Sequence, residues 1–148
     1  MVLPTKVIET VIKKINKYSH LFPIDTKPVE GSEDLIPDAD RRGIVVYADF
    51  DERADIYATG VPGDIPCSIY ASCTSASFET AAESFNEAFL MAIKILKIIT
   101  DEYYEIEDVE GDLEVVQIKA QEIPIVILSK SANGSTVQAA FTYNICGL

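Results

Sequence analysis

The chain holds one histidine, His20, and three cysteines, Cys67, Cys73 and Cys146. A thiol nucleophile needs a base within hydrogen-bond reach of its sulfur, and His20 with Cys67 is the pairing of residue types that offers one. Nothing beyond residue type ties the two together, and a core cysteine plus a loop histidine explains the same letters. His20 and the three cysteines would nominally supply four zinc ligands. Structural zinc sites space their ligands in close pairs, however, and these residues are scattered singly. The cysteines lack CxxC spacing and lie in strand-like or strand-flanking sequence, which reads as buried or half-buried free thiols.

The second concentration of chemistry is acidic. Between positions 101 and 114 stand Asp101, Glu102, Glu105, Glu107, Asp108, Glu110, Asp112 and Glu114, with no Lys or Arg among them. An EF-hand loop with Gly111 as its sixth residue would start at Ile106 and end at Gln117, positions that must both be acidic, so that motif fails. Calcium binding of another kind, a solvated loop, and a surface facing something charged remain as readings of the run. GxGxxG, GxxxxGK[ST] and GxSxG patterns are all missing, and Gly60-Val61-Pro62-Gly63 is turn chemistry. The residues therefore predict no catalytic set, no cofactor site, no metal site and no enzyme.

Twelve Lys and Arg against twenty-four Asp and Glu give a net charge of -12. Such a field repels phosphate backbones unless the cations cluster. Lys6, Lys13, Lys14 and Lys17 come closest, but they ride on one helix and read as its solvated side. Direct nucleic-acid binding is not expected. The opening residues Met1 to Lys6 show no secretory pattern, and Lys94 and Lys97 interrupt the best apolar window, so neither export nor a membrane span is expected. Asn133-Gly134-Ser135 matches a glycosylation sequon but is also a strong hairpin turn.

The elements that must position these residues follow from periodicity. Residues 5–19 form a first helix with Val7, Ile8, Val11, Ile12, Ile15 and Tyr18 on one side. Residues 20–42, rich in Pro and acid, read as a long acidic loop, a candidate partner-binding arm. Strands are expected at 43–50, briefly at 54–59, at 65–72, and at 113–119 and 123–129, the last two either separate or joined by a bend near Pro124. A turn at 131–135 leads to a closing strand that alternates Val137, Ala139, Phe141, Tyr143 and Ile145 against Thr136, Gln138, Ala140, Thr142 and Asn144. The order predicts one α+β domain spanning 1–148, with two helices packed on one face of a mainly antiparallel sheet.

The second helix, expected over 77–100 and capped by Ser75 or Ser77, is the most informative element. Phe78, Ala81, Ala82, Phe85, Phe89, Ala92, Leu96 and Ile99 make a stripe that can dock on the sheet. Leu90, Met91 and Ile98 fall on the other side among Glu83, Glu87, Lys94 and Lys97, where a monomer normally puts charge alone. Leu90, Met91, Lys94 and Ile98 are therefore the candidate oligomer interface, the competing explanation being cover by the first helix.

This layout resembles the tail-terminator, or tail-completion, proteins of long-tailed bacteriophages and prophages. The matching parts are the opening helix, the strand GIVVYADF, the strand IPCSIYAS leading through SASFETAAESFNEAF into the long helix, and the alternating hairpin ending in FTYNICGL. The resemblance implies a homo-oligomeric ring, often a hexamer, on the head-proximal end of the tail tube. Its partners would be tail-tube and head-connector proteins. It would assemble in the host cytoplasm and end in the virion tail. The alternative reading is a soluble α+β binding module or adaptor for a small apolar ligand or protein partner, held in a pocket lined by Phe85, Phe89, Phe141 and Tyr143.

Overall fold

Pro4 opens α1 (Pro4–Lys17), where its fixed φ suits the first helical position and its missing N–H leaves nothing unsatisfied. Val7, Ile8, Val11 and Ile15 form the buried stripe, and Lys14 and Lys17 fall in the last turn, where positive charge suits the helix dipole. The helix stops short of Ser19 because the chain tightens there into a 3-10 turn, Ser19–Leu21. The computed structural model describes residues 1–24, 26–31, 42–49, 65–100 and 102–145. The strand expected at 54–59, residues 25 and 32–41 of the acidic loop, and Cys146 lie outside the described residues.

Among the described residues, six strands form one sheet in the order β1-β2-β3-β6-β5-β4. They are β1 (Pro28–Glu30), β2 (Gly43–Asp49), β3 (Ile65–Thr74), β4 (Glu102–Glu107), β5 (Leu113–Ser129) and β6 (Thr136–Ile145). β1 runs parallel to β2, whereas the other neighbours are antiparallel. The α+β class holds, but the sheet is mixed, which corrects the mainly antiparallel sheet expected from sequence. The cause is β1 itself: three residues, Pro-Val-Glu, carry no readable period, so this strand was hidden inside the loop expected at 20–42.

The acidic run is corrected in the same way. Its first half is β4, with Tyr104 and Ile106 turned inward and Tyr103, Glu105 and Glu107 turned outward. The loop is confined to the turn at 108–112. There Asp108 Oδ1 accepts the amides of Glu110 and Asp112 at 2.9 and 3.0 Å, and Gly111 takes a φ of 86°. β5 is one seventeen-residue strand, the joined form of the two readings left open from sequence. Its register against β6 slips between Ala120 and Ile125, and Gln121 Nε2 donates to the Phe141 carbonyl at 2.8 Å across that irregularity.

α2 (Ala81–Ile99) starts later than expected. Thr80 is its cap, accepting the Glu83 amide at 3.2 Å. Ser75, by contrast, is sealed inside a buried hydroxyl cluster in which Ser84 Oγ lies 2.8 Å from both Ser75 Oγ and Ser135 Oγ. In register, Ile44, Cys73 and Val137 form one row across β2, β3 and β6, and Val46, Ala71 and Ala139 form the next. These rows join both helices in a single core, so both helices lie on one face. Because α1 touches both edge strands, β1 and β4, the sheet curls around it.

The opposite face is not simply solvated. Val45, Tyr47, Ser72, Gln138 and Ala140 are buried there. Gln138 Nε2 donates to the Tyr47 hydroxyl and, at 2.8 Å, to Ser72 Oγ, which satisfies polar groups that would otherwise be costly to bury.

Candidate functional site

Cys67 and Cys73 are both fully buried on the helix-facing side of β3. Burial pushes both thiols up from their ordinary value, Cys73 most strongly, so neither is a thiolate near neutral pH. Tyr143, which bonds to Cys67, is likewise pushed up by burial and donates its hydroxyl to the Val2 carbonyl at 3.3 Å. His20 sits exposed on the 3-10 turn against Tyr18, so the His20 and Cys67 pairing is not assembled. Among the described residues, no three His, Cys, Asp or Glu side chains converge to hold a metal ion. No helix among them is long and apolar enough to cross a membrane.

The four candidate interface residues part company. Met91 is 1% exposed and belongs to the core. Ile98 is half-buried and packs against that core. Lys94 donates to the Leu21 carbonyl at 2.7 Å, tying α2 to the 3-10 turn. Leu90 alone stands out, 53% exposed. The physical reason is a rotation of the docking stripe, which runs through Ser84, Ala88, Met91, Ala92, Ile95 and Ile99. Small Ser84 and Ala88 let the first turns approach β3 and β6, while the stacked pair Phe85 and Phe89, 5.6 Å apart, is left half-buried at the flank.

Leu90 edges an open groove of about 430 Å³ with Pro23, Phe78 and Met91. Its charged rim is partly neutralised, since Glu87 takes both Nε and Nη2 of Arg42, at 2.5 and 2.8 Å. A second cavity, about 210 Å³, opens where β5 and β6 part company near Val116, Lys119 and Tyr143.

The larger apolar exposure lies elsewhere. Among the described residues, six of the eleven exposed large hydrophobic side chains sit on β4 and β5: Tyr103, Leu113, Val115, Ile123, Ile127 and Leu128. Tyr103, Leu113 and Val115 share the outer face of the ribbon that β4 and β5 form, because each alternates with an inward-facing core residue. Sequence reasoning missed this face by reading β4 as loop. The signal was present, since Tyr104 and Ile106 alternate with Tyr103 and Glu105. No protein-family model matches the chain, and no curated protein sequence matches it.

Proposed function

We propose that this is a structural assembly protein that self-associates into a ring, in the manner of the phage tail terminators whose layout it resembles. In that role it would close the head-proximal end of a tail tube and join it to the head connector. The reading rests on one observation: the exposed apolar side chains concentrate on the β4 and β5 strands, more than isolated surface residues account for. The net charge of -12 is consistent with it, because a ring that DNA slides through should not hold phosphates. Assembly would take place in the host cytoplasm, before incorporation into the virion tail.

Light scattering over a wide concentration range, followed by electron microscopy of the largest species, tests the proposal. Closed rings are the expected result. A strict monomer at high concentration that also fails to bind tail-tube protein would overturn it. The adaptor reading finds its footing in the α2 groove rather than between helix and sheet, where Phe141 and Tyr143 are packed solid. A monomer that binds an apolar fluorescent probe, and loses it on Leu90→Glu, would favour that reading instead.

A further inference from the structure

The ribbon's outer face has two columns. Register sets Leu113 opposite Glu107, Val115 opposite Glu105 and Gln117 opposite Tyr103. Tyr103, Leu113 and Val115 are 70%, 68% and 66% exposed. Glu105 and Glu107 are exposed beside them and have no ion pair among the described residues. Glu105 and Glu107 edge an apolar strip whose far end carries exposed Lys119, so a partner that meets the two acids must bring basic side chains.

The same chain carries such charge on its other side. Lys13 and Lys17 are exposed on α1, opposite its buried stripe, with Lys6 two turns earlier on the same side. Lys14 is already committed to Glu102 and Tyr104. Lys13 and Lys17 are four residues apart on a helix, about 6 Å along its axis. Glu105 and Glu107 are two residues apart on a strand, about 6.8 Å. The two pairs match in pitch as well as in sign.

We infer that neighbouring copies join head to tail, the lysine face of α1 in one copy docking on the outer face of the β4 and β5 ribbon in the next. This rests on the self-association proposed above. The lysine face lies opposite the buried stripe of α1, and the ribbon face lies opposite the core side of the sheet. Each copy then uses one face on each side, and such a heterologous contact closes into a ring when the rotation between copies permits.

Charge reversal tests the assignment. Lys13→Glu/Lys17→Glu and Glu105→Lys/Glu107→Lys change only exposed side chains, and far-UV circular dichroism confirms that each variant folds. Either variant alone should associate roughly a hundredfold more weakly than wild type in light scattering, because like charges then face one another. Mixed in equal amounts, the two should recover wild-type association, since each reversed face meets a reversed partner. In wild type, carbodiimide cross-linking should join Lys13 or Lys17 to Glu105 or Glu107 between copies, identified with mixed isotope labels. If wild type assembles and both variants assemble equally well, the interface assignment fails while the ring reading stands. A monomeric wild type would overturn both.

Discussion

Cys73 is the residue at which burial matters most. The strand expected at 65–72 leaves it just past a strand end. β3 instead runs on to Thr74 and turns Cys73 fully into the core, where its thiol donates to the Ala71 carbonyl at 3.8 Å. Cys73→Ser should therefore cost about 1–3 kcal/mol in urea denaturation, and Cys67→Ser a similar amount. Both thiols are held neutral by burial, so their folded pKa lies above the unfolded one. Their contribution is complete below the ordinary thiol value of about 8.5 and falls as pH rises past it, because the unfolded chain then sheds protons that the folded one keeps. Stability of wild type should decline into alkaline pH, and Cys73→Ser should flatten that decline. A pH-independent wild type, or a neutral serine variant, would contradict this account.

At the scale of elements, α2 is anchored through its buried first turns. Ser84 joins Ser75 at the end of β3 to Ser135 at the start of β6, so one hydroxyl ties helix and two strands together. Ser84→Ala takes one partner from each of two buried hydroxyls, which keep the Ser135 amide and Ser131, and should cost about 1 kcal/mol in thermal denaturation, with helix content kept below the transition. A loss within a few tenths of a kcal/mol would mean that the cluster reorganises freely. The same helix shows where sequence reading stops. α1 was legible because its lysines and its aliphatic residues divide cleanly between two sides. The second half of α2 is apolar nearly all round, so periodicity could not choose between the phenylalanine stripe and the smaller one that permits close approach. Met91 was misplaced for that reason, and Leu90 was not. β3 and β6 were legible from strict alternation, whereas β4 was masked by three glutamates around two inward positions, and β1 was too short for any pattern to show.

Over the whole molecule, charge decides what the surface can hold. Of the cations, Lys14, Arg42 and Lys94 are spent on Glu102, Glu87 and the Leu21 carbonyl. With a net charge of -12 and only the α1 lysines grouped, labelled duplex should show no anisotropy change at physiological salt. Micromolar binding that weakens as salt rises would mean that Lys6, Lys13 and Lys17 form a phosphate site. The strand order has a consequence for how such a molecule comes to exist. β6 stands between β3 and β5, although α2, β4 and β5 all separate it from β3 in sequence. As the chain leaves the ribosome, β2 can pair with β3 and β4 with β5, yet these two halves have no common border until residues 136–145 emerge and slot between them. Until then β3 keeps an open inner edge, the state in which a nascent chain is most exposed to sticking to its neighbours.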